Sequence, residues 1–492
     1  MNIIRNLCKR FCYAGNAFAA CHACDCVCFC FRHFFTEFAF PSPHATLDTA
    51  FIKIKKRGFL MMRFLTAFAI VFLLSAPAFS ADHKLQNLQV AVVYNDTDIQ
   101  FRFRFETDTP SWYHQYWVYH DGAWSLTEGG SPDKDSQGLY EDRISMMIDD
   151  GSIPDFEIAG GYSAVHEGMR SLHSEADPET VRAHPWIGGK LGESRVEKYL
   201  ALSRTDEDAS WNAVRSEEEL LALRREGKFI DLWQWRSHRG NPAGFGDNGY
   251  ILDYRHGASG QSSYAHNRNA ERNGPRWMYN PEKTDGKSAL RLEKLLKKEY
   301  GQNDLYYLHE DFAVEIDENR TWQNGDALPQ RILRDASGSR GAIRAEGEWK
   351  DGAWHVRLTR SLAAPDPMDS KTFTHGHLYQ VAFAVHQAVG ARWHYVSAPL
   401  RLGLGTQEET ELFIRGVYTD GDLNTAETQW TDVTLFYPGQ VTWQWLRSDE
   451  HPGNEFVRDR MLPLNYRHTE EELTDFIAAH EALLEEEAAE DQ

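Results

Sequence analysis

Between Ile99 and Phe105 the chain reads Ile-Gln-Phe-Arg-Phe-Arg-Phe, with Phe101, Phe103 and Phe105 on one face of an extended strand and Arg102 and Arg104 on the other. A strand with one greasy and one charged face is stable only where the greasy face is covered. The segment therefore commits this part of the chain to an antiparallel sheet packed on one side. Val90, Val92 and Tyr94 alternate in the same way, and Asn95-Asp96-Thr97-Asp98 between the two runs has the side chains of a tight hairpin turn.

Further strands are predicted at Tyr116–Tyr119 with a turn at Asp121-Gly122, at Glu141–Ile148, at Phe229–Ser237, and at Ile343–Leu362 with a hairpin at Trp349–Trp354. Tyr379–Val385, Trp393–Leu404 and an aromatic strand pair over about 429–446 follow. An aromatic share of 13% fits this strand-rich reading and favours aromatic-lined pockets. Helix signals are few: Ser216–Gly227, with a capping Ser, early acids, late bases and a terminal Gly, a second helix around Lys287–Tyr300, and an acidic tail from Thr469 to Gln492. The expected class is mainly β, an antiparallel β-sandwich with a long loop and helix insertion at about 237–340 and a C-terminal helix.

The first eighty residues are set apart. All seven cysteines lie between Cys8 and Cys30; a basic stretch from Lys53 to Arg57, Met61-Met62-Arg63, an apolar run Phe64–Leu74 and the small-residue end Ser75–Ser80 follow. Charged start, short apolar middle and small-residue end are the pattern of a secretory signal at 61–80, so 1–60 is expected to be a mis-assigned extension and the mature part to begin near Ala81, exported to the periplasm. The apolar run is about half of the ~20 residues of a membrane span, so no retained span is expected. An odd cysteine count upstream of a signal speaks against a metal cluster there. The divisions expected are thus 1–60, 61–80, a domain over 81–446 and an acidic helical tail over 447–492.

Beyond Cys30 there is no cysteine, so the mature part has no disulfide, thiolate metal site, Cys nucleophile or thioether-linked haem. The chain carries a net charge of −21, and the first eighty residues hold more bases than acids, so the remainder is more acidic still. Such a chain repels nucleic acid and anionic lipid. No G-x-S-x-G elbow, H-E-x-x-H or Walker-type loop appears, and adjacent acids such as Glu141 and Asp142 face opposite ways on a strand, which serves paired-carboxylate hydrolysis poorly.

Six segments in order, YNDTDIQFRFRF, LYEDRISMMIDDG, FEIAGGYSAVHEGMRS, IDLWQWRSHRG, GEWKDGAWHVRLTRSL and YQVAFAVHQAVGARWHYVSAPLRLGL, resemble the ethylbenzene dehydrogenase haem-subunit family over about Gln89–Leu404. The resemblance implies a β-sandwich that grips a haem at its edge, in haem subunits of periplasmic molybdenum enzymes related to dimethyl sulfoxide reductase. In many relatives the third segment reads G-C-x-x-x-C-H; here Gly161 and Val165 stand at the cysteine positions while His166 remains. In the molybdenum-enzyme subunits the ligands are a Met in this region and a Lys where this chain has His394.

The resemblance therefore implies a non-covalent haem b whose iron is bound by His166 and His394. His386 competes for the second position, Met147 and Met169 for the first, and Gly390 makes the register between His386 and His394 unreadable. Trp233 and Trp235 share a face and either stack along the porphyrin or fill the sandwich; Arg236, His238 and Arg239 are candidates for the haem propionates. The function expected is electron transfer, as a non-catalytic carrier or the haem subunit of a redox complex, with a periplasmic redox enzyme or a membrane cytochrome as partner. The alternative is a haem-free β-sandwich module binding carbohydrate or another ligand.

Overall fold

A computed structural model describes residues 86–448 except 130–137, 173, 318, 391–393, 407–411 and 437–441, all within the compact unit Asp82–Gln492. The expected extension, signal segment and acidic C-terminal tail lie outside the described residues. No helix among the described residues is long and apolar enough to cross a membrane.

The architecture is mainly β, as the alternation predicts. Thirteen strands form one large sheet: β1 (Gln86–Tyr94), β2 (Asp98–Glu106), β3 (Arg143–Asp149), β4 (Ile230–Arg236), β5 (Asp247–Ile251), β6 (Arg255–Gly257), β7 (Arg344–Lys350), β8 (Ala353–Ser361), β9 (His377–His386), β10 (Tyr395–Ser397), β11 (Leu400–Leu404), β12 (Phe413–Tyr418) and β13 (Thr431–Phe436). Their order is β7-β8-β2-β1-β12-β11-β9-β3-β4-β5-β6, with β10 bridging β9 to β13 and β13 lying against β1. The contacts β1–β12 and β11–β12 are parallel and the rest antiparallel. The sheet doubles over, so that β7, β8, β2 and β1 face β11, β9, β3 and β4 as the two layers of a sandwich.

The apolar faces close on each other. Phe101 meets Trp233 edge-on with ring centroids 5.4 Å apart, Phe103 meets Phe383 at 5.9 Å, and Trp235 meets Trp354 at 4.9 Å. Val90, Val92, Ile144, Met146, Val381, Val385, Leu400 and Leu402 complete this core. The hairpin turns follow their residues: Asn95 Oδ1 accepts from the backbone N–H groups of Thr97 and Asp98, and Asp351-Gly352 both take positive φ between β7 and β8. Ser216 and Glu219 form the capping box that starts the helix Glu217–Arg225.

Two expectations need correction. The helix expected over Lys287–Tyr300 is confined to Leu292–Leu296: Leu290–Arg291 is drawn into a short strand by Asp326–Pro329, and Lys298 takes a positive φ that ends the helix. Of the aromatic strand pair over 429–446, only β13 is extended among the described residues; Trp443–Arg447 is helical, and Trp443 N–H donates to the Val165 carbonyl at 2.7 Å. The Tyr116–His120 strand also leaves the sandwich, pairing with Asp326–Pro329. A second apolar cluster, with Tyr113, Tyr116, Tyr279, Tyr306 and Leu328, forms around that pairing.

Where the two clusters meet, buried Asp142 accepts hydrogen bonds from the Ser111 N–H (2.8 Å), Trp354 Nε1 (2.8 Å) and the Ala388 N–H (2.7 Å). Burial outweighs these donors and pushes its carboxyl up to about 7. The native state thus holds this proton more tightly than the unfolded chain. The resulting stability is full below the unfolded carboxyl range and is lost as pH rises through about 7. Urea midpoints at pH 5 and pH 8 are expected to show native protein losing stability over this interval, with a flatter profile in Asp142→Asn. Equal profiles would remove Asp142 as the cause.

A cationic cavity on the outer face of the sandwich

Strands β9, β3 and β4 have a second face, and strict alternation makes it the floor of a cavity. Register sets out three rows: His386, Arg143 and Arg236; then Ala384, Ser145 and Gln234; then Ala382, Met147 and Leu232. Residues between them, including Ile144, Met146, Trp233, Trp235, Phe383 and Val385, point into the sandwich core. The floor therefore grades from cationic at one end to apolar at the other. Val396 of β10 extends the middle row beside Ala384, and His394 lies next to His386.

The roof comes from residues remote in sequence. A helical turn Phe156–Ala159 runs into the 3-10 turn Gly160–Ala164, and Gly161, Tyr162 and Val165 cover the apolar end. A Cβ on Gly161 would lie 3.9 Å from Met147 Sδ, so roof and floor are close there. Gly160 has φ +52°, and a Cβ on it would press to 3.2 Å from Pro399; both facts favour glycine. Arg170, Lys198, Arg255, Tyr140, Arg239, Tyr264 and Arg331 complete the walls. The enclosed volume is about 290 Å³, near the lower end of the ~300–1,000 Å³ of small-molecule sites.

Charge is the distinctive property of this cavity. Six arginines and Lys198 line it, against the single carboxylate of Glu197, in a chain whose net charge is −21. Asp247 ties down Arg236 at 2.5 Å and Arg340 at 2.8 Å, while Glu141, fully buried behind the wall, pairs with Arg239 Nε. Burial alone would push the Tyr140 and Tyr264 phenols up. Arg239 and Arg143 beside Tyr140, and Arg236 and Arg239 beside Tyr264, pull both below the ordinary value. The Nε–H groups of Arg143, Arg236 and Arg331 are buried with no hydrogen-bond acceptor among the described residues. Buried guanidinium donors left open in this way are costly unless something anionic meets them.

The expected site residues divide. His394 and Arg236 line the cavity, as does the competitor His386; the two imidazoles stack with centroids 4.3 Å apart and planes 10° from parallel. Trp233 and Trp235 do not line it. Both indoles are fully buried in the sandwich core on the opposite side of β4, among the packed residues and away from the cavity. His166 is completely buried outside the cavity wall. Its Nε2 lies 3.0 Å from the Ser163 carbonyl, its ring stacks on Tyr199 at 4.4 Å, and its N–H donates to Met169 Sδ. Burial, aided by Arg204 on the far side of Tyr199, lowers the His166 imidazole to about 3 and keeps it neutral. The structure thus brings His394, His386, Arg236 and Met147 to one cavity and leaves His166 and Met169 beside it.

Sequence reasoning missed Arg143, Arg170, Arg255, Tyr264 and Arg331. Arg143 was legible in principle, since alternation along Arg-Ile-Ser-Met-Met-Ile sets Arg143, Ser145 and Met147 together. Arg255 opens β6, Tyr264 and Arg331 lie in the paired three-residue strands Tyr264–His266 and Arg331–Leu333, and Arg170 lies in a turn, and none of these segments is long enough to carry a periodic signal.

Among the described residues no three His, Asp or Glu side chains converge as a metal cage. What the cavity offers is an imidazole pair at its edge, guanidinium groups at one end and an apolar patch at the other. The fold and this cavity define a β-sandwich protein with a cavity on the outer face of its sheet that is cationic at one end and apolar at the other. Compared with known families, residues 65–397 match the model described as ethylbenzene dehydrogenase, and the chain belongs to that family of redox-enzyme components. A comparison with curated proteins finds no match.

Proposed function

We propose that the chain is an exported haem-binding subunit acting in periplasmic electron transfer, with one haem b held without covalent attachment in the cationic cavity. The observation that carries this reading is the floor that grades from the row His386, Arg143 and Arg236 to the apolar row Ala382, Met147 and Leu232. A haem has two carboxylates on one edge, an apolar body and an iron that accepts imidazole, and each part finds its complement here. Arg236, Arg143 and Arg331 would hold the carboxylates, Ala382, Met147, Leu232 and Val165 would pack the macrocycle, and His394 would bind the iron.

Stacked side by side, His386 and His394 stand on one side of the cavity and cannot serve as opposite ligands. The His394 and His166 pair expected from the resemblance requires His166 to leave Ser163 and Tyr199. Met147 lies in the same floor as the His386 and His394 pair, so its part would be to pack the macrocycle. Bound haem supplies one-electron chemistry at iron; the chain's part is to orient it, exclude water and compensate its charge. Membership of a family of redox-enzyme components supports a redox enzyme or membrane cytochrome as partner, and the signal-like segment at 61–80 supports export.

Protein produced with haem available is expected to show a Soret band that shifts on dithionite reduction. His394→Ala should give an altered or haem-free spectrum, and His166→Ala should leave the spectrum as it is. An altered spectrum in His166→Ala as well as in His394→Ala would restore the two-histidine pair. A colourless protein that takes up no haem would end the reading.

A further inference from the structure

Behind the cationic end of the cavity lies a sealed polar cluster that binding of a guest does not use. His114 is 1% exposed, and neither ring nitrogen has a hydrogen-bond partner among the described residues. Its Nδ1 lies 3.7 Å from Glu141 Oε1, and its ring rests on Tyr140 with centroids 4.7 Å apart and stands 6.0 Å from the ring of His238. His238 is also fully buried; its Nδ1 meets the Trp112 carbonyl at 2.9 Å, while its Nε2 has no partner among the described residues. Tyr116 and Tyr306 close the far side of His238. Three imidazole nitrogens are thus left open in a dry interior beside a carboxylate, an arrangement that favours a proton over packing alone.

The cluster adjoins the cavity through shared residues. Glu141 accepts from the backbone N–H groups of His238 (3.0 Å) and Arg239 (2.9 Å) and from Arg239 Nε, while Arg239 and Tyr140 also line the cavity. Burial first, then the positive charges of Arg239, Arg331, His238 and Arg143, keep the His114 imidazole well below its ordinary value. Three of those four are cavity-lining arginines.

We propose that His114, paired with Glu141, is a buried proton-accepting site coupled to the charge held in the cavity: when an anionic group enters and neutralises the arginines, His114 takes up a proton. The coupling is electrostatic and needs no movement of the backbone. Removing positive potential a few ångströms from a desolvated imidazole, with a carboxylate already in place to receive the cation, moves its protonation equilibrium up. The site would let the protein load an anionic guest with less change in net charge.

Two measurements test this. In ligand-free full-length protein labelled with ¹³C at histidine Cε1, the His114 signal is identified by its loss in His114→Gln and followed against pH. Arg331→Gln should raise its midpoint towards the ordinary value of about 6.5, while Arg331→Lys, which keeps the charge, should leave it near the native position; an unmoved midpoint in Arg331→Gln overturns the proposal. In the second, haemin is added calorimetrically in two buffers of different ionisation heat. Native protein should take up close to one proton per haemin and His114→Gln markedly less, and equal uptake in both also overturns it. The second measurement rests on the haem reading and the first does not, so a protein that ignores haemin defeats only that reading.

Discussion

Glu141→Ala is expected to destabilise the protein by about 3–5 kcal/mol, the usual result of stripping one partner from a buried ion pair. The carboxylate is fully buried and holds the Arg239 guanidinium together with the N–H groups of His238 and Arg239. Ala leaves all of these without an acceptor, and Arg239 without its counter-charge. The pH signature has a definite sign. Burial works to raise the Glu141 carboxyl, but Arg239, Arg143 and Arg236 outweigh it and hold it below the ordinary value. Its contribution is present above the unfolded carboxyl range and is lost as pH falls through the native value. Urea denaturation should therefore show a large native-to-variant gap at pH 7 that narrows in acid. A gap of the same size at both ends would mean that packing, not charge, is what Glu141 supplies.

Trp235→Ala should cost a similar ~3–5 kcal/mol, as expected of a large aromatic deleted from a core. The indole is fully buried, packs on Trp354 at 4.9 Å, donates from Nε1 to Asn241 Oδ1 at 2.9 Å, and is approached so closely by Gly347 that a Cβ there would run into it. The side chain points away from the cavity, so on the haem reading proposed above the fraction still folded should show the native Soret band unshifted. A stable variant with a changed spectrum would reverse the assignment of the two faces of β4.

Those faces mark the limit of what the sequence discloses. Alternation in Asp-Leu-Trp-Gln-Trp-Arg shows that Trp233 and Trp235 share one side and Leu232, Gln234 and Arg236 the other. It cannot say which side is core when both are covered, because a doubly buried strand loses the polar face that would orient it. Phe101, Phe103 and Phe105 were unambiguous because their opposite face carries Arg102 and Arg104. His386 and His394 defeated register counting through Gly390, and the structure sets them ring to ring. His166 was chosen by its place in a family pattern, which fixes position along the chain but not the direction of the ring. The cavity itself was invisible, since its roof and cationic end join residues from Tyr140 to Arg331 that only tertiary folding brings together.

The floor of the cavity is the reverse side of the same three strands that make one wall of the hydrophobic core. It can neither tilt nor spread without prising Ile144, Trp235 and Val385 out of their packing. The roof over its apolar end is one short turn from Gly160 to Ala164, tethered to Trp443 through the Val165 carbonyl. A guest laid on this floor would meet a bench braced from behind by close-packed side chains, so its pose would be set by the strands.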